Sequence, residues 1–336
     1  MTEQDLEVLL SEPTPLVVQA MRGLEGDILI LGAGGKMGPS LARLAVRAAS
    51  EAGRSRRVFA AARFSEPTLK ARLTADGVET IQCDLFDQAQ LAELPDVPNV
   101  IYMAGQKFGT SGEADRTWAV NAYLPGVVGA RFPAARIVAF STGNVYPLWP
   151  VSSHGPTESD PTGPIGEYAL SALARERVFE HFSRRNGTPI ALLRLNYAVE
   201  PRYGVVRDIA DRVWAGTPVD LAMQQVNLIW QRDANAVALA SLSHCESPPL
   251  VLNLTGPAVR VRWIAEEFGR RWGRAPVFAG DESDTALLSN AAECARRFGP
   301  SPVSVSEMID RVALWVEQGG RSLNKPTHFE TRDGAF

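Results

Sequence analysis

The chain has 336 residues, of which 45% are hydrophobic, and carries a formal net charge of −4. This length allows one large domain or two lobes that share a core. The weak charge without a basic stripe argues against a nucleic-acid partner, and no apolar run reaches the roughly eighteen residues of a membrane span.

Residues 1–24 precede the first predicted strand, and we expect them to form a helical extension. Over residues 25–195, short apolar runs alternate with segments of helical periodicity. The predicted strands are DILIL (27–31), RVFAA (57–61), ETIQC (79–83), VIYM (100–103), RIVAF (136–140) and IALLRL (190–195). The alternation predicts an α/β fold of the Rossmann type, with a doubly wound parallel sheet covered by helices on both faces.

The regular alternation ends near residue 196. Helices are predicted around 205–215 and 260–273, and a strand at VLNLT (251–255). We assign residues 196–320 to a smaller C-terminal substrate lobe that is partly interleaved with the sheet. Residues 321–336 form a polar tail, whose order we expect to depend on packing against the body.

A glycine-rich turn follows the first strand directly. Gly32, Gly35 and Gly38 have the spacing G-x-x-G-x-x-G, and a helical pattern begins at once behind them. Such a turn needs a positive φ and a close approach of the backbone to a pyrophosphate. The free N–H groups of the following helix then face the phosphates. We therefore predict a dinucleotide-binding site here.

The end of the second strand distinguishes the two nicotinamide cofactors. An acidic residue there binds the ribose 2′-hydroxyl of NAD, whereas a basic residue accepts the 2′-phosphate of NADP. The segment FAAARFS (59–65) contains no carboxylate and places Arg63 at this point, with Ser65 nearby. We expect NADP as the cofactor, with NAD as the alternative.

Several segments in order resemble the extended short-chain dehydrogenase/reductase family, in its NAD(P)-dependent epimerase/dehydratase branch. The resemblance covers roughly residues 25–315. The matching segments are GAGGKMG (32–38), CDLFD (83–87), VIYMAGQKFG (100–109), VNAYLPGVVGA (120–130), FSTGNVYP (140–147) and TESDPTGPIGEYALSALARE (157–176).

The resemblance implies a set of residues around the cofactor. Asp84 and Leu85 would border the adenine, and Lys107 suits a position that faces the cofactor. The expected cofactor-binding residues are Gly32, Gly35, Lys36, Met37, Gly38, Arg63, Asp84, Leu85, Ala104, Lys107 and Tyr168.

The resemblance also implies the catalytic residues. Thr142 would polarise the reacting oxygen, Tyr168 would transfer the proton, and Asn121 would hold a water in the proton relay. The expected substrate-facing residues are Gln106, Thr142, Asn144 and Asn196. No metal site is expected.

One position departs from the family pattern. Four residues after Tyr168, where the family carries a lysine, the chain has Ala172. A tyrosine near its usual pKa of about 10 is a poor base, and a cation within about 4–6 Å favours the phenolate. Lys107, Arg175 or the positive charge of the nicotinamide could replace the lysine, although Arg175 lies about 10 Å along the helix. A further alternative is that the alanine marks an inactivated lysine variant.

The substrate side also departs from relatives that bind nucleotide sugars. In DLAMQQVNLIWQRDANA (220–236), Asp233 matches the terminal aspartate of that segment. The position of the arginine that grips a diphosphate falls near Val226 and Asn227, and a diphosphate needs cationic or N–H partners. We therefore favour a free sugar, a sugar acid or a similar small hydroxy or keto compound.

The resulting hypothesis is an NAD(P)-dependent oxidoreductase or epimerase in which hydride moves to or from nicotinamide C4. Net oxidation and internal hydride return stay open. Gly143 and Asn144 stand where dehydratases carry an acidic pair, which disfavours dehydration. The alternative from another class is a catalytically silent dinucleotide-binding sensor or scaffold, for which Ala172 is the main argument.

The remaining expectations concern assembly and location. The helices at 115–130 and 165–182 form a dimer bundle in much of the family, which implies a homodimer. Cys83, Cys245 and Cys294 form neither a disulfide framework nor a metal-ligand pattern, and the acidic N-terminus does not resemble a signal peptide. We expect a reduced, cytoplasmic protein.

Overall fold

The computed structural model describes residues 1–107 and 112–335. The last two positions of the segment VIYMAGQKFG (100–109), and Phe336 of the predicted tail, lie outside the described residues. The helices are α1 (Glu3–Leu10), α2 (Pro15–Gly23), α3 (Gly38–Glu51), α4 (Pro67–Ala75), α5 (Gln88–Ala92), α6 (Ala114–Trp118), α7 (Leu124–Arg131), α8 (Gly166–Asn186), α9 (Val205–Ala215), α10 (Gln231–Ser241), α11 (Val261–Trp272), α12 (Ala292–Phe298) and α13 (Val305–Glu317).

The strands are β1 (Ile28–Leu31), β2 (Val58–Ala62), β3 (Glu79–Gln82), β4 (Asn99–Tyr102), β5 (Arg136–Thr142), β6 (Trp149–Pro150), β7 (Ile190–Leu195), β8 (Ala198–Val199), β9 (Val219–Asp220), β10 (Gln225–Asn227), β11 (Ile229–Trp230), β12 (Leu250–Leu254), β13 (Ala258–Arg260), β14 (Phe278–Ala279) and β15 (Thr285–Ala286).

Seven strands form one parallel sheet in the order β12-β7-β5-β4-β1-β2-β3. The predicted α/β fold is confirmed, and the predicted strands agree with the observed ones to within one or two residues. The order reverses between β1 and β4, where ligands bind in open α/β sheets. Strand β12 is the edge of this sheet, although it comes from the segment assigned to the smaller lobe.

The two faces of the sheet have separate apolar cores. In β1, Ile28 packs in a cluster with Leu41 of α3, whereas its neighbour Leu29 packs with Phe179 of α8. Successive side chains of a strand point to opposite faces. Because both faces are covered, all four residues of β1 are buried, which explains why the sequence shows a continuous apolar run.

A second core lies beyond the sheet. It is built around Trp230, Phe268 and Trp315, which are all at most 2% exposed, and it includes residues of α9, α11 and α13. Leu6 of α1 belongs to this core, whereas Val17 of α2 packs under the sheet. Helices α1 and α2 therefore contact both cores.

The C-terminal tail is held against the body by side chains and backbone. Phe329 is fully buried in the second core. Arg332 donates to the Ala222 carbonyl at 3.0 Å and to the Thr285 carbonyl at 2.7 Å. A β-carbon added at Gly166, the first residue of α8, would lie 2.5 Å from the Gly334 carbonyl oxygen. The tail therefore reaches the start of the helix that carries Tyr168.

Candidate active site

The glycine-rich turn after β1 is closely packed on one side and open on the other. Gly32 has φ +85, and a β-carbon there would lie 2.6 Å from the backbone nitrogen of Ala104. A β-carbon at Gly38 would lie 2.4 Å from the Ala33 carbonyl oxygen. Gly35 is exposed, so the outer side of the turn is accessible. This cradle leaves room for a group that must approach the backbone closely, which fits a pyrophosphate.

The helix α3 begins at the end of this turn. Met37 occupies its N-cap position and makes no capping hydrogen bond with its side chain. The first N–H groups of the helix are therefore not capped by this side chain, and uncapped N–H groups at a helix start can bind an anion. The ammonium of Lys36, next to Met37, lies 3.3 Å from the centre of the Tyr203 ring.

The residues predicted for the adenosine end follow adjacent strands. Arg63 comes directly after β2 and is exposed. Asp84 follows β3, and its carboxylate accepts a hydrogen bond from the Phe86 backbone at 3.1 Å. Leu85 is only 8% exposed and belongs to the core beneath. The sheet thus brings Arg63 and Asp84 to the same carboxyl edge.

Tyr168 lies in the first turn of α8 and forms a hydrogen bond with the side chain of Thr142 at the end of β5. Burial raises the pKa of Tyr168 above its ordinary value, and the Thr142 hydrogen bond and the charge of Arg175 oppose this shift. The phenol is therefore protonated at neutral pH. The structure brings the predicted proton donor and the predicted polarising hydroxyl together.

Asn121 lies in a π-helical turn, Ala119–Tyr123, between α6 and α7. Its amide oxygen accepts from the Gln106 backbone at 2.9 Å and from Arg175 at 2.7 Å. Its amide nitrogen donates to the Gln106 carbonyl at 2.9 Å and to Ser171 Oγ at 3.0 Å. The side chain thus fastens the turn after β4 to α8. The water-holding role of Asn121 stays a prediction.

Ala172 is 1% exposed and packs against Val145 and Tyr146. One turn further along α8, the guanidinium of Arg175 donates to the Phe140 carbonyl at 2.7 Å. The charge of Arg175 is close enough to Tyr168 to lower its pKa. The long side chain of Arg175 therefore brings its charge nearer to Tyr168 than the rise of the helix between the two residues alone predicts.

Lys107 approaches Tyr168 from the turn after β4. Its ammonium lies 5.8 Å from the centre of the Tyr168 ring and 5.8 Å from the centre of the Tyr197 ring. Burial lowers the pKa of Lys107 to about 8, and the charge of Asp208 opposes the shift. A cation near the tyrosine is therefore present, although it comes from a different element than in the family pattern.

The predicted substrate-facing residues differ in how deeply they are buried. Gln106 is half-buried beside Lys107 in the turn after β4. Asn144 is buried, and its amide oxygen accepts from Thr142 Oγ1 at 3.1 Å. Asn196 is also buried, and its amide donates to the Leu287 carbonyl at 3.3 Å. Their roles towards substrate stay predictions.

A network of buried polar side chains connects the end of β5 to neighbouring elements. Glu176 accepts from Ser141 Oγ at 2.5 Å and pairs with Arg194 at 2.8 Å. Arg194 also donates to the Tyr146 hydroxyl at 2.6 Å, and Tyr146 donates to Asn253 at 2.9 Å. Because every member is hydrogen-bonded, the network fixes β5 and α8 relative to each other.

Sequence reasoning missed part of the site. Tyr203 and Asp208 approach it from the smaller lobe. The tail packs beside them, since Thr327 donates to the Asp208 carboxylate through its backbone at 2.7 Å and its hydroxyl at 2.6 Å. One signal in the sequence pointed here: the chain has four lysines, at 36, 70, 107 and 325. The charges of Lys107 and Lys325 both act on Lys36.

Two further searches of the described residues gave negative results. Within residues 1–107 and 112–335, no group of three or more histidine, cysteine, aspartate or glutamate side chains could hold a metal ion. The helices of the same ranges include none that is long and apolar enough to cross a membrane.

Comparison with known proteins agrees with this architecture. Residues 28–247 match the model of the NAD dependent epimerase/dehydratase family. No curated protein matches the chain. Among solved structures, Pal from Bacillus thuringiensis is 15% identical with a TM-score of 0.73, covering 87% of this chain and 99% of its own. The enzyme WbmG from Bordetella bronchiseptica, solved with NAD, is 19% identical with a TM-score of 0.73, covering 91% and 98%.

A third similar structure is the UDP-glucuronic acid 4-epimerase from Bacillus cereus, solved with NAD. It is 17% identical with a TM-score of 0.71, and the match covers 87% of this chain and 99% of that protein. At such identities the structures establish the fold, and the family match establishes the relationship. The chain belongs to the NAD-dependent epimerase/dehydratase family and is an enzyme of the extended short-chain dehydrogenase/reductase type.

Proposed function

We propose that the protein is an NAD(P)-dependent oxidoreductase or epimerase that acts on a hydroxyl or keto group of a small polar substrate. One observation carries the proposal. Tyr168 and Thr142 are joined by a hydrogen bond at the carboxyl edge of the sheet, and the ammonium of Lys107 lies 5.8 Å from the Tyr168 ring centre. A proton donor, a polarising hydroxyl and a cation therefore converge where the family binds nicotinamide.

The residues present suit a nicotinamide dinucleotide. Gly32 and Gly35 provide the cradle, the first N–H groups of α3 face the phosphates, and Lys107 borders the nicotinamide end. When bound, the cofactor supplies or accepts hydride at C4. Arg63, exposed after β2 where no carboxylate stands, supports NADP over NAD.

Residues of the protein transfer the proton. In the reducing direction, a carbonyl carbon gains hydride while its oxygen gains the proton of Tyr168. Thr142 donates to the same oxygen and holds it against the phenol. Lys107 and Arg175 then stabilise the phenolate that forms, because both place positive charge near it. In the oxidising direction the same phenolate accepts the alcohol proton.

The substrate is proposed to be a sugar or sugar acid rather than a nucleotide sugar. Val226 and Asn227, where a diphosphate-binding arginine would stand, are buried in β10 and carry no charge. Asp233 is also buried and accepts from Ser301 Oγ at 2.6 Å. Structures of similar fold are complexes with UDP-sugars, so UDP-glucose belongs in any substrate screen.

A homodimer is proposed on the exposed apolar side chains of two neighbouring helical segments. Trp118, Tyr123 and Leu170 are 38%, 55% and 42% exposed. They lie on the helical segments around α6 and α8 that the family uses for its dimer bundle. A monomeric mass in light scattering would contradict this assembly. The three free cysteines suit a reducing cytoplasm.

The test of the proposed function is Tyr168→Phe, with Tyr123→Phe as the matched control. Removing the phenol oxygen should lower turnover about 10²–10⁴-fold, because proton transfer typically contributes that much. NADPH affinity should stay within about twofold, since the ring remains. Substrate turnover is followed by NMR, which detects epimerisation as well as net oxidation. Unchanged turnover in Tyr168→Phe would exclude Tyr168 as the proton donor, whereas dinucleotide binding without turnover in the wild type would favour the catalytically silent alternative.

A further inference from the structure

A cavity of about 580 Å³ lies beside the edge strand β12. Its walls come from the start of α2, from α10, from α12 and from the segments that follow β12 and α12. None of the described residues in this lining belongs to the sets predicted for the cofactor, the reaction or the substrate. Small-molecule sites typically have volumes of about 300–1,000 Å³. The cavity is therefore large enough for a ligand of its own.

The inner part of the lining is apolar and shielded from solvent. Ile229, Ala236, Val237 and Cys294 are each at most 6% exposed, and the half-buried ring of Phe298 packs against the same core. The outer part contains several prolines, whose fixed φ angles limit the movement of the entrance. These exposed prolines are Pro15, Pro257, Pro300 and Pro302.

The acidic side chain of the lining is already paired within the protein. Asp233 forms an ion pair with Arg232 at 2.9 Å, and it accepts hydrogen bonds from Ser301 Oγ at 2.6 Å and from the Val303 backbone at 3.2 Å. Within the part of the chain that the structure describes, no lysine, arginine or histidine lines the cavity. A charged ligand would therefore lose its hydration without gaining a counter-ion, which is costly.

The hydroxyl and thiol groups of the lining are also unsuited to a polar ligand. Thr255 Oγ1 donates to the Asn196 carbonyl at 2.7 Å, and Thr14 and Ser304 accept hydrogen bonds from the backbone at the starts of α2 and α13. Burial raises the pKa of the Cys294 thiol to about 12, and nearby carboxylates act in the same direction, so the thiol is neutral. A sugar would find few free hydrogen-bond partners among these side chains.

Two residues of the cavity wall also hold the backbone of the segment that follows β7. Thr255 binds the Asn196 carbonyl, and the Ile229 backbone donates to the Tyr197 carbonyl at 3.2 Å. Asn196 is a predicted substrate-facing residue, and the Tyr197 ring centre lies 5.8 Å from the ammonium of Lys107. The segment thus connects the wall of the cavity with the predicted site.

We propose that this cavity is a second ligand site, which takes an uncharged and largely apolar small molecule as an effector. Such a molecule would contact Ile229 and Thr255, and through them it would act on the backbone of Tyr197 and Asn196. An effector needs a site of its own and a coupling to the first site, and the two hydrogen bonds supply a route for that coupling. The inference goes beyond the proposed function, because the ligand is neither substrate nor cofactor.

The binding test is a fluorescence titration of the full-length protein with N-phenyl-1-naphthylamine, an uncharged apolar probe. The anionic control is 1-anilinonaphthalene-8-sulfonate, which adds a sulfonate to the same ring system. The uncharged probe should bind in the cavity at least about tenfold more tightly, because burying an unpaired charge is costly. Tighter binding of the sulfonate in the cavity, or no binding of the uncharged probe, would overturn the proposal.

Variants show which part of the binding belongs to the cavity. Ala295 lines it and is exposed, so Ala295→Trp should fill part of the space and weaken binding of the uncharged probe about tenfold. Ala71→Trp is the matched control, because Ala71 is exposed on α4 beside β3, the other edge of the sheet. Ala292→Trp repeats the test at a second exposed position of the lining. Equal affinities in all three variants and the wild type would contradict a site in this cavity.

The effector role is tested by ¹⁹F NMR on protein labelled with 3-fluorotyrosine. The chain has six tyrosines, and the signals of Tyr197 and Tyr123 are assigned with the Tyr197→Phe and Tyr123→Phe variants. N-phenyl-1-naphthylamine should move the Tyr197 signal through Ile229 and leave that of Tyr123, which does not line the cavity. A bound probe that leaves the Tyr197 signal in place would overturn the effector role.

A titration with NADPH separates this inference from the proposed function. If NADPH displaces the uncharged probe, the probe occupies the cofactor site and the inference is wrong. If the probe binds the cavity but no dinucleotide binds, the proposed function fails while the second site stands. Probe affinity that falls as the protein concentration rises would indicate that a second copy of the chain covers the cavity, which also contradicts a small-molecule site.

Discussion

At the residue scale, Ala172 stands where the family carries a lysine, so the positive charge near Tyr168 must come from other residues. Ala172 is buried against Val145 and Tyr146 and contributes no charge. Lys107 and Arg175 bring cations towards Tyr168 from a loop and from further along the same helix. Positive charge near Tyr168 thus comes from residues outside the usual motif, and burial still raises the pKa of the phenol above its ordinary value.

The pKa of Lys107 gives a prediction about pH. Since burial lowers it to about 8, the ammonium is charged below that pH and neutral above it. The NMR signal of the Lys107 ε-carbon should therefore titrate near pH 8, and that of Lys36, with a pKa of about 6, should titrate in a separate step at lower pH. Spectra of the protein labelled at the lysine ε-carbon, recorded between about pH 5 and 9.5, measure both steps.

The control for this pH profile is Lys107→Arg. A guanidinium stays charged throughout the range, so the step near pH 8 should disappear. Wild-type signals that stay flat through pH 8, or a step of the same size in Lys107→Arg, would exclude Lys107 as the titrating group.

At the element scale, the turn between β1 and α3 combines two constraints that can be measured separately. Gly32 has φ +85, and a β-carbon added there would lie 2.6 Å from the backbone nitrogen of Ala104. Gly53, after α3, has φ +66 and nothing within 4 Å of such a β-carbon. The two glycines share the left-handed conformation but differ in the space around them.

We therefore predict that Gly32→Ala destabilises the fold more than Gly53→Ala. Each substitution places alanine in the left-handed region, which costs about 1 kcal/mol. Only Gly32→Ala also pushes against the turn after β4, which should add about 1–3 kcal/mol and move the glycine-rich turn. Urea unfolding of both variants gives the difference. Equal losses would show that the close approach to Ala104 has little energetic weight.

The sequence predicts the elements of the sheet well and the tail poorly, for a physical reason. Strand β1 is buried on both faces, so its apolar run is visible without any tertiary information. The tail is polar, and its path depends on pairings such as Thr327 with Asp208 and Arg332 with Thr285, which no local pattern encodes. Burial of Phe329 anchors it, yet one phenylalanine in a polar segment carries little signal.

The residues of the site also divide into those that the sequence predicts and those that it does not. Tyr168, Thr142 and Asn121 can be found from motif spacing, since each stands at a fixed place in a strand or helix. Tyr203 and Lys325 could not, because their approach to Lys36 depends on how the smaller lobe and tail fold back over the sheet. The scarcity of lysine was the available clue.

At the scale of the whole molecule, distant parts of the chain meet around Tyr168. The glycine-rich turn follows β1 of the sheet, Tyr168 lies on α8, and Asp208 of α9 binds Thr327 of the tail. Gly334 of the tail packs against Gly166, two residues before Tyr168. The predicted site is therefore assembled from three regions of the chain that are far apart in sequence.

The central claim is that this enzyme holds its cofactor and its proton donor without the helix lysine. A fluorescence titration of NADPH and NADH into the wild type and into Ala172→Lys tests it most directly. The account predicts that the wild type binds, with NADPH preferred because of Arg63, and that the lysine improves affinity no more than about twofold. Binding that occurs only in Ala172→Lys would contradict the account and mark Ala172 as a lesion.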